Sequence, residues 1–150
     1  VRTFSGIREL EDAVGAHLGY SGWRTVTQSQ IDGFAEITDD HQWIHVDPSR
    51  AASGPFAATI AHGYLTLSLV TALAWEVFWI DGIKMGLNYG ANRIRFPAPV
   101  RVNSRIRAGV EVVSVAGRSD GFQLVTRVSV EIDGGDKPAC VVDVVSLLVP

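Results

Sequence analysis

Residues 39–47 read Asp-Asp-His-Gln-Trp-Ile-His-Val-Asp. Two of the chain's four histidines and three carboxylates fall within nine residues. Asp40 and His45 are a carboxylate and an imidazole that one turn of chain can bring face to face. Such a pair grips a single water and moves protons in both directions near neutral pH. A solvated acidic turn would have the same composition. His41 and His45 also stand at the spacing of a helical zinc pair. The metalloprotease pattern needs Glu after the first His, however, and this chain has Gln42, so no metal is expected.

The second chemical signal is Ile60-Ala61-His62-Gly63-Tyr64, which opens a long apolar run. A glycine in the first turn of a helix has an N–H that no helical carbonyl claims, and no side chain shields it. The helix dipole adds positive potential there. A carbonyl placed against that N–H is polarised, as a thioester oxygen would be on its way to an enolate. The alternative is a glycine that permits close packing, with His62 as a cap. Ser68 lies further along the same helix, where a serine commonly bonds its own backbone. Arg93, Arg95, Arg101, Arg105 and Arg107 form a basic run at strand spacing. It reads as a solvated sheet face that could also meet phosphates. Cys140, in the apolar stretch ACVVDVV, reads as an inert core thiol. There is no Gly-rich phosphate loop and no G-x-S-x-G elbow.

These residues need elements to hold them. Ile7, Leu10, Val14 and Leu18 are spaced by three and four, which predicts a helix over 7–18. Trp23 to Val26 could be a short strand. Thr27-Gln28-Ser29-Gln30 has capping-box form and opens a helix from Gln28 to about Thr38. Asp39-Asp40 disfavours its C-terminal end and should stop it. Residues 39–61, with Pro48, Gly54 and Pro55, read as irregular. His62 to about Trp79 is apolar nearly all round, so a helix of roughly 25 Å enclosed on most sides is expected. Four strands follow: Leu87–Phe96, Ser104–Val115, Phe122–Ile132 and Ala139–Leu148. Hairpin turns fall at Gly117–Gly121 and Asp133–Lys137. This is an α+β pattern, an antiparallel sheet that must cover one hydrophobic helix.

With 150 residues the chain is expected to be one domain, 1–150. Thirteen Lys+Arg against sixteen Asp+Glu give net −3, which disfavours a generic nucleic-acid surface. The single cysteine excludes an internal disulfide. The first residues show no signal-peptide pattern, and the apolar run from Ile60 to Trp75 is too interrupted to span a membrane. A cytoplasmic protein with no membrane contact is expected.

Both signals resemble one family, the R-specific enoyl-CoA hydratases of the MaoC-like dehydratase group. That group's signature, Gly-Asp-x-Asn-Pro-(Leu/Ile/Val)-His, five residues, then Ala or Ser, stands here as Asp39 to His45 and Ala51. VTQSQIDGFAEIT resembles the family's approach helix, IAHGYLTLSL its central-helix opening and RFPAPV the strand that follows. The resemblance implies a hot-dog fold, an antiparallel sheet wrapped around a long central helix, and a homodimer. It implies a hydro-lyase of fatty acid metabolism, adding water reversibly to trans-2-enoyl-CoA to give (R)-3-hydroxyacyl-CoA. Asp40 and His45 take the catalytic positions. Gly63, Ser68, Gln42 and His62 take the oxyanion and substrate positions. No metal or cofactor is implied, coenzyme A being part of the substrate. Asp39, Gln42 and Trp43 depart from the signature's Gly, Asn and Pro. Two other readings share the fold: an acyl-CoA thioesterase using an acid on the helix, for which Glu76 is the one candidate, and a non-catalytic acyl-CoA-binding protein.

Overall fold

The computed structural model describes residues 1–150. Thr27 caps helix α2 (Gln28–Thr38) as its spacing predicts: its side chain accepts from the Gln30 N–H, and the Gln30 side-chain oxygen accepts from the Thr27 N–H. The helix ends on Asp39, which takes a left-handed conformation at φ 59°. Ile31 and Ala35 form its buried stripe.

Three long strands follow the period-two pattern of their sequence. They are β6 (Arg105–Arg118), β7 (Gly121–Ile132) and β8 (Cys140–Val149). They pair antiparallel in that order, and β5 (Met85–Arg95) joins beyond β8. Two short strands, β2 (His17–Tyr20) and β3 (Arg24–Thr25), both pair with β6 at the other edge. The inward residues Ile106, Ala108, Val110, Val128, Val130 and Val142 close over helix α5 (Gly63–Trp75) through Leu65, Val70 and Leu73. The expected architecture, a sheet wrapped on one apolar helix, is what forms. Cys140 is fully buried in this core, and burial pushes its thiol up to about 11.

Several boundaries differ from the sequence reading. The helix expected over 7–18 is only α1 (Ile7–Asp12). Gly15 takes φ +86°, which no helix accommodates, and the chain then enters β2. The central helix stops at Trp75, not near Trp79. Residues Phe78–Ile80 form strand β4, which pairs in parallel with β1 (Arg2–Phe4). The apolar run Val77-Phe78-Trp79-Ile80 suits a strand as well as a helix, and packing decides. Phe4 and Ile80 join Leu10, Ala13, Val112, Leu124 and Leu148 in a second apolar cluster, with the Phe78 ring edge-on to Phe4. Residues 39–61 are not all irregular: α3 (Trp43–Val46) and α4 (Pro48–Ala52) lie within them.

The central helix is also less enclosed than expected. Tyr64, Ser68 and Trp75 are exposed on one face. Beside that face β5 is an edge strand, and ten of its eleven residues are exposed. No helix is long and apolar enough to cross a membrane.

Candidate active site

Asp40 follows the left-handed turn that ends α2, and the Gln42 N–H approaches its Oδ1 at 3.4 Å. His45 projects from α3, 6% exposed. His62 is the N-cap of α5, 3% exposed. An oxygen of the Asp40 carboxylate and one ring nitrogen each of His45 and His62 lie within 4.8 Å of one another. One water making two hydrogen bonds of ~2.8 Å at a tetrahedral angle spans about 4.6 Å. A single oxygen atom held between a carboxylate and an imidazole can bridge a separation up to that limit.

Two main-chain carbonyls fix both histidine tautomers. His45 Nδ1 lies 2.6 Å from the Ile60 carbonyl oxygen. A carbonyl only accepts, so Nδ1 carries the proton and Nε2 keeps its lone pair. His62 Nε2 likewise donates to the Asp40 carbonyl at 3.0 Å, leaving Nδ1 as a buried acceptor that no group of the chain engages. The two rings stack at 3.8 Å between centroids and 21° between planes. Burial lowers the His45 pKa below its ordinary 6.5, and the neighbouring His62 adds to this, while the Ile60 carbonyl and Asp40 oppose it. His45 is thus a neutral imidazole at pH 7, poised to take a proton.

These three side chains are also the one cluster with the makings of a metal site. In rings stacked 3.8 Å apart at 21°, the in-plane lone pairs do not converge on one nearby point. Joint ligation would require one ring to leave the stack. His41 belongs elsewhere. It is exposed, 2.7 Å from Glu36 and 3.4 Å from Asp39, and the Glu36 hydrogen bond raises its pKa. The sequence pairing of His41 with His45 therefore makes no shared site.

Gly63 is the first residue of α5, adjoining His62 in the chain. The His62 carbonyl takes the N–H groups of Leu65 and Thr66, while the Gly63 N–H meets no acceptor in the chain. An open amide and close packing occur together here, while the His62 side chain makes no cap bond. Its N–H is free, and a Cβ here would stand 3.1 Å from the Phe96 ring.

Ser68 and Gln42 are not brought into the cluster. Ser68 is exposed, and its hydroxyl donates to the Tyr64 carbonyl at 2.7 Å, the back-bond common to a mid-helix serine. Gln42 is exposed at the N-cap of α3, and its side chain makes no hydrogen bond within the chain. Glu76 is committed elsewhere, accepting from the Gly22 N–H at 3.1 Å and pairing with Arg24 at 3.0 Å. In the basic run, Arg105 pairs with Asp133, and Arg107 with Glu131 at 2.8 Å.

Three contributors escape the sequence reading: the Ile60 carbonyl, Phe96 against Gly63, and Gln28, whose amide reaches the carbonyl of His45 at 2.8 Å. The capping pattern places Gln28 on a helix but says nothing of a partner 17 residues away.

The family described as MaoC like domain matches residues 9–134. A protein named 3-hydroxyacyl-thioester dehydratase Z, from Mycobacterium tuberculosis, is 47% identical over 144 residues, covering 95% of each chain. The solved structure of the (R)-hydratase from A. caviae involved in PHA biosynthesis superposes with a TM-score of 0.73 at 26% identity, covering 91% of this chain and 96% of that one. A monoamine oxidase regulatory protein from Archaeoglobus fulgius, at 21% identity and a TM-score of 0.77, covers 99% of this chain and 97% of its own and shares the fold.

Proposed function

The chain belongs to the MaoC-like dehydratase family, and we propose that it is a hydro-lyase acting on an acyl thioester, with Asp40 and His45 as its catalytic residues. The observation that carries this reading is the cluster itself. A carboxylate and a tautomer-fixed imidazole lie within one water's span, beside a helix N-terminus with a free N–H. In hydration of a trans-2-enoyl thioester, Asp40 accepts one hydrogen bond from the water and His45 Nε2 accepts the other. The water oxygen bonds to C3 as His45 takes the proton. The C2–C3 π electrons move toward the thioester carbonyl, whose oxygen gains charge against the Gly63 N–H. The imidazolium returns its proton to C2, so one water is added in all. Dehydration runs the same steps backward. The thioester itself acidifies C2, and no metal or redox cofactor enters this scheme.

The relatives' names favour coenzyme A thioesters and the (R)-3-hydroxy product. A homodimer formed on the exposed α5 face and the β5 edge is part of this reading, because an unpaired edge strand flanked by apolar side chains is a surface that associates. Tyr64, Trp75, Trp79, Met85, Leu87 and Tyr89 are all exposed there. The thioesterase alternative is weakened by Glu76, whose two oxygens are already engaged and which lies thirteen residues from Gly63, roughly 20 Å along the helix.

The test is loss of the enoyl-thioester absorbance with crotonyl-CoA, together with chiral analysis of the product and a thiol reagent to detect free coenzyme A. Asp40→Asn and His45→Gln should each lower kcat by ~10²-fold or more. A folded variant of either residue that retains wild-type hydration, or thiol release in place of hydration, overturns the reading.

A further inference from the structure

Gln28 sits in the first turn of α2, yet its amide group is bonded on three sides. Its Nε2 donates to the His45 carbonyl at 2.8 Å and to Asp32 Oδ1 at 2.9 Å. Its Oε1 accepts from the Thr59 hydroxyl at 2.5 Å. Thr59 is 1% exposed and immediately precedes Ile60, whose carbonyl holds His45 Nδ1. One side chain thus ties the main chain of His45 to the strand of residues that receives the His45 ring. The Ile60 N–H closes the circuit by donating to the Ile44 carbonyl at 3.0 Å. Segment 43–46 and segment 59–60 are therefore joined three times: ring to carbonyl, N–H to carbonyl, and through Gln28.

We propose that Gln28, braced by Thr59, is a positioning residue that holds the His45 ring on the Ile60 carbonyl and so keeps its Nε2 lone pair directed at the reacting water. It touches neither substrate nor water. A free neutral imidazole exchanges between its two tautomers, and only the Nδ1–H form serves here. The bond to Ile60 selects that form, and its length depends on the spacing of the two segments that Gln28 sets. Only an amide fits this place, because it must donate toward His45 and accept from Thr59 at once. A carboxylate would face the His45 carbonyl with a second acceptor, and an aliphatic side chain would leave the buried Thr59 hydroxyl without its partner. Asp40 and His62 are the titratable groups that face His45, and Asp32 meets the Gln28 amide instead.

The inference rests on His45 being the group that moves the proton, and its test has an arm that needs no substrate. Nitrogen NMR of the imidazoles at pH 7.5 reads the tautomer directly. The wild-type chain should show His45 as the Nδ1–H form. Gln28→Leu and Thr59→Val should shift it toward a mixture, and Thr59→Ser should restore it. In the hydration assay Gln28→Leu should lower kcat by ~10-fold with KM little changed, since a small misplacement of a catalytic group costs rate before it costs binding. The double variant Gln28→Leu/Thr59→Val should fall no further than the worse single, as members of one network do. Variants that lose only thermal stability, keeping the wild-type tautomer and kcat, overturn the proposal. A wild-type chain that hydrates no thioester sinks the proposed function, while the tautomer measurement still decides the role of Gln28.

Discussion

His45 Nδ1 and the Ile60 carbonyl oxygen lie 2.6 Å apart, fifteen positions separated in the chain. That contact decides which nitrogen of the imidazole is free for chemistry. With Nδ1 occupied, His45 can only work through Nε2, and only while neutral. Burial lowers its pKa below 6.5. The rate of hydration should therefore fall on the acid side, with a midpoint below the 6.5 of a free histidine. A kcat/KM profile with its acid limb centred above 6.5 would contradict this.

The same shift has a consequence for stability. Between the lowered folded value and the ordinary value of about 6.5, the unfolded chain binds more protons at this residue than the folded one. The stabilisation from a neutral His45 is fully present above 6.5 and is lost as pH falls through the folded value. His41 runs the other way. Its raised pKa contributes below 6.5, and that contribution is lost as pH rises. Thermal melts of the wild type and His45→Gln, compared from pH 8 to pH 5, separate the two. The wild type should lose more stability on acidification than the variant does.

Asp39 closes α2 at φ 59°, a conformation natural to glycine and costly to most other residues. Asp39→Gly should raise stability by a few tenths to about 1 kcal/mol, net of the added freedom of the unfolded chain. Chemical denaturation reads this as a higher midpoint with an unchanged slope. A lower midpoint would show that the contact of Asp39 with His41 outweighs the backbone cost.

Gly63→Ala keeps the free N–H but puts a methyl group 3.1 Å from Phe96. Phe96 is 39% exposed and has room to swing away. The variant should fold and lose ~10-fold in kcat as the ring and the first turn of α5 shift. Gly63→Ala/Phe96→Leu should recover part of that loss. Equal activity in the single and double variants would mean that Phe96 does not set the position of this turn.

Leu87 lies on β5, exposed, in the middle of the apolar edge. Leu87→Lys should convert a dimer to monomers in sedimentation velocity, because a charge on a sheet edge opposes pairing with another strand. A wild-type chain already monomeric at working concentration would remove the basis for the dimer.

Legibility in the sequence follows the range of the interaction. The start of helix α2 is readable to the residue because Thr27 and Gln30 cap each other locally. Strand β7 is readable because its inward residues alternate from Leu124 to Val130. The β1–β4 pair is not, since three-residue strands carry no period and each partner lies 76 positions away. The end of α5 is not legible, because Phe78 and Trp79 extend its apolar pattern. At the site, Asp40, His45 and Gly63 announced themselves by type and spacing. The stacking of His62 on His45 and the brace from Gln28 did not, because neither depends on local spacing.

The Gly63 N–H belongs to the peptide linkage, so the genetic code offers no substitution that deletes it except proline, which would also alter the helix start. On the proposed mechanism, deep mutational scanning would thus report a carboxylate and an imidazole and miss the amide proposed as the third participant. Replacing that one amide by an ester through semisynthesis is the route that exposes it, with every side chain left in place.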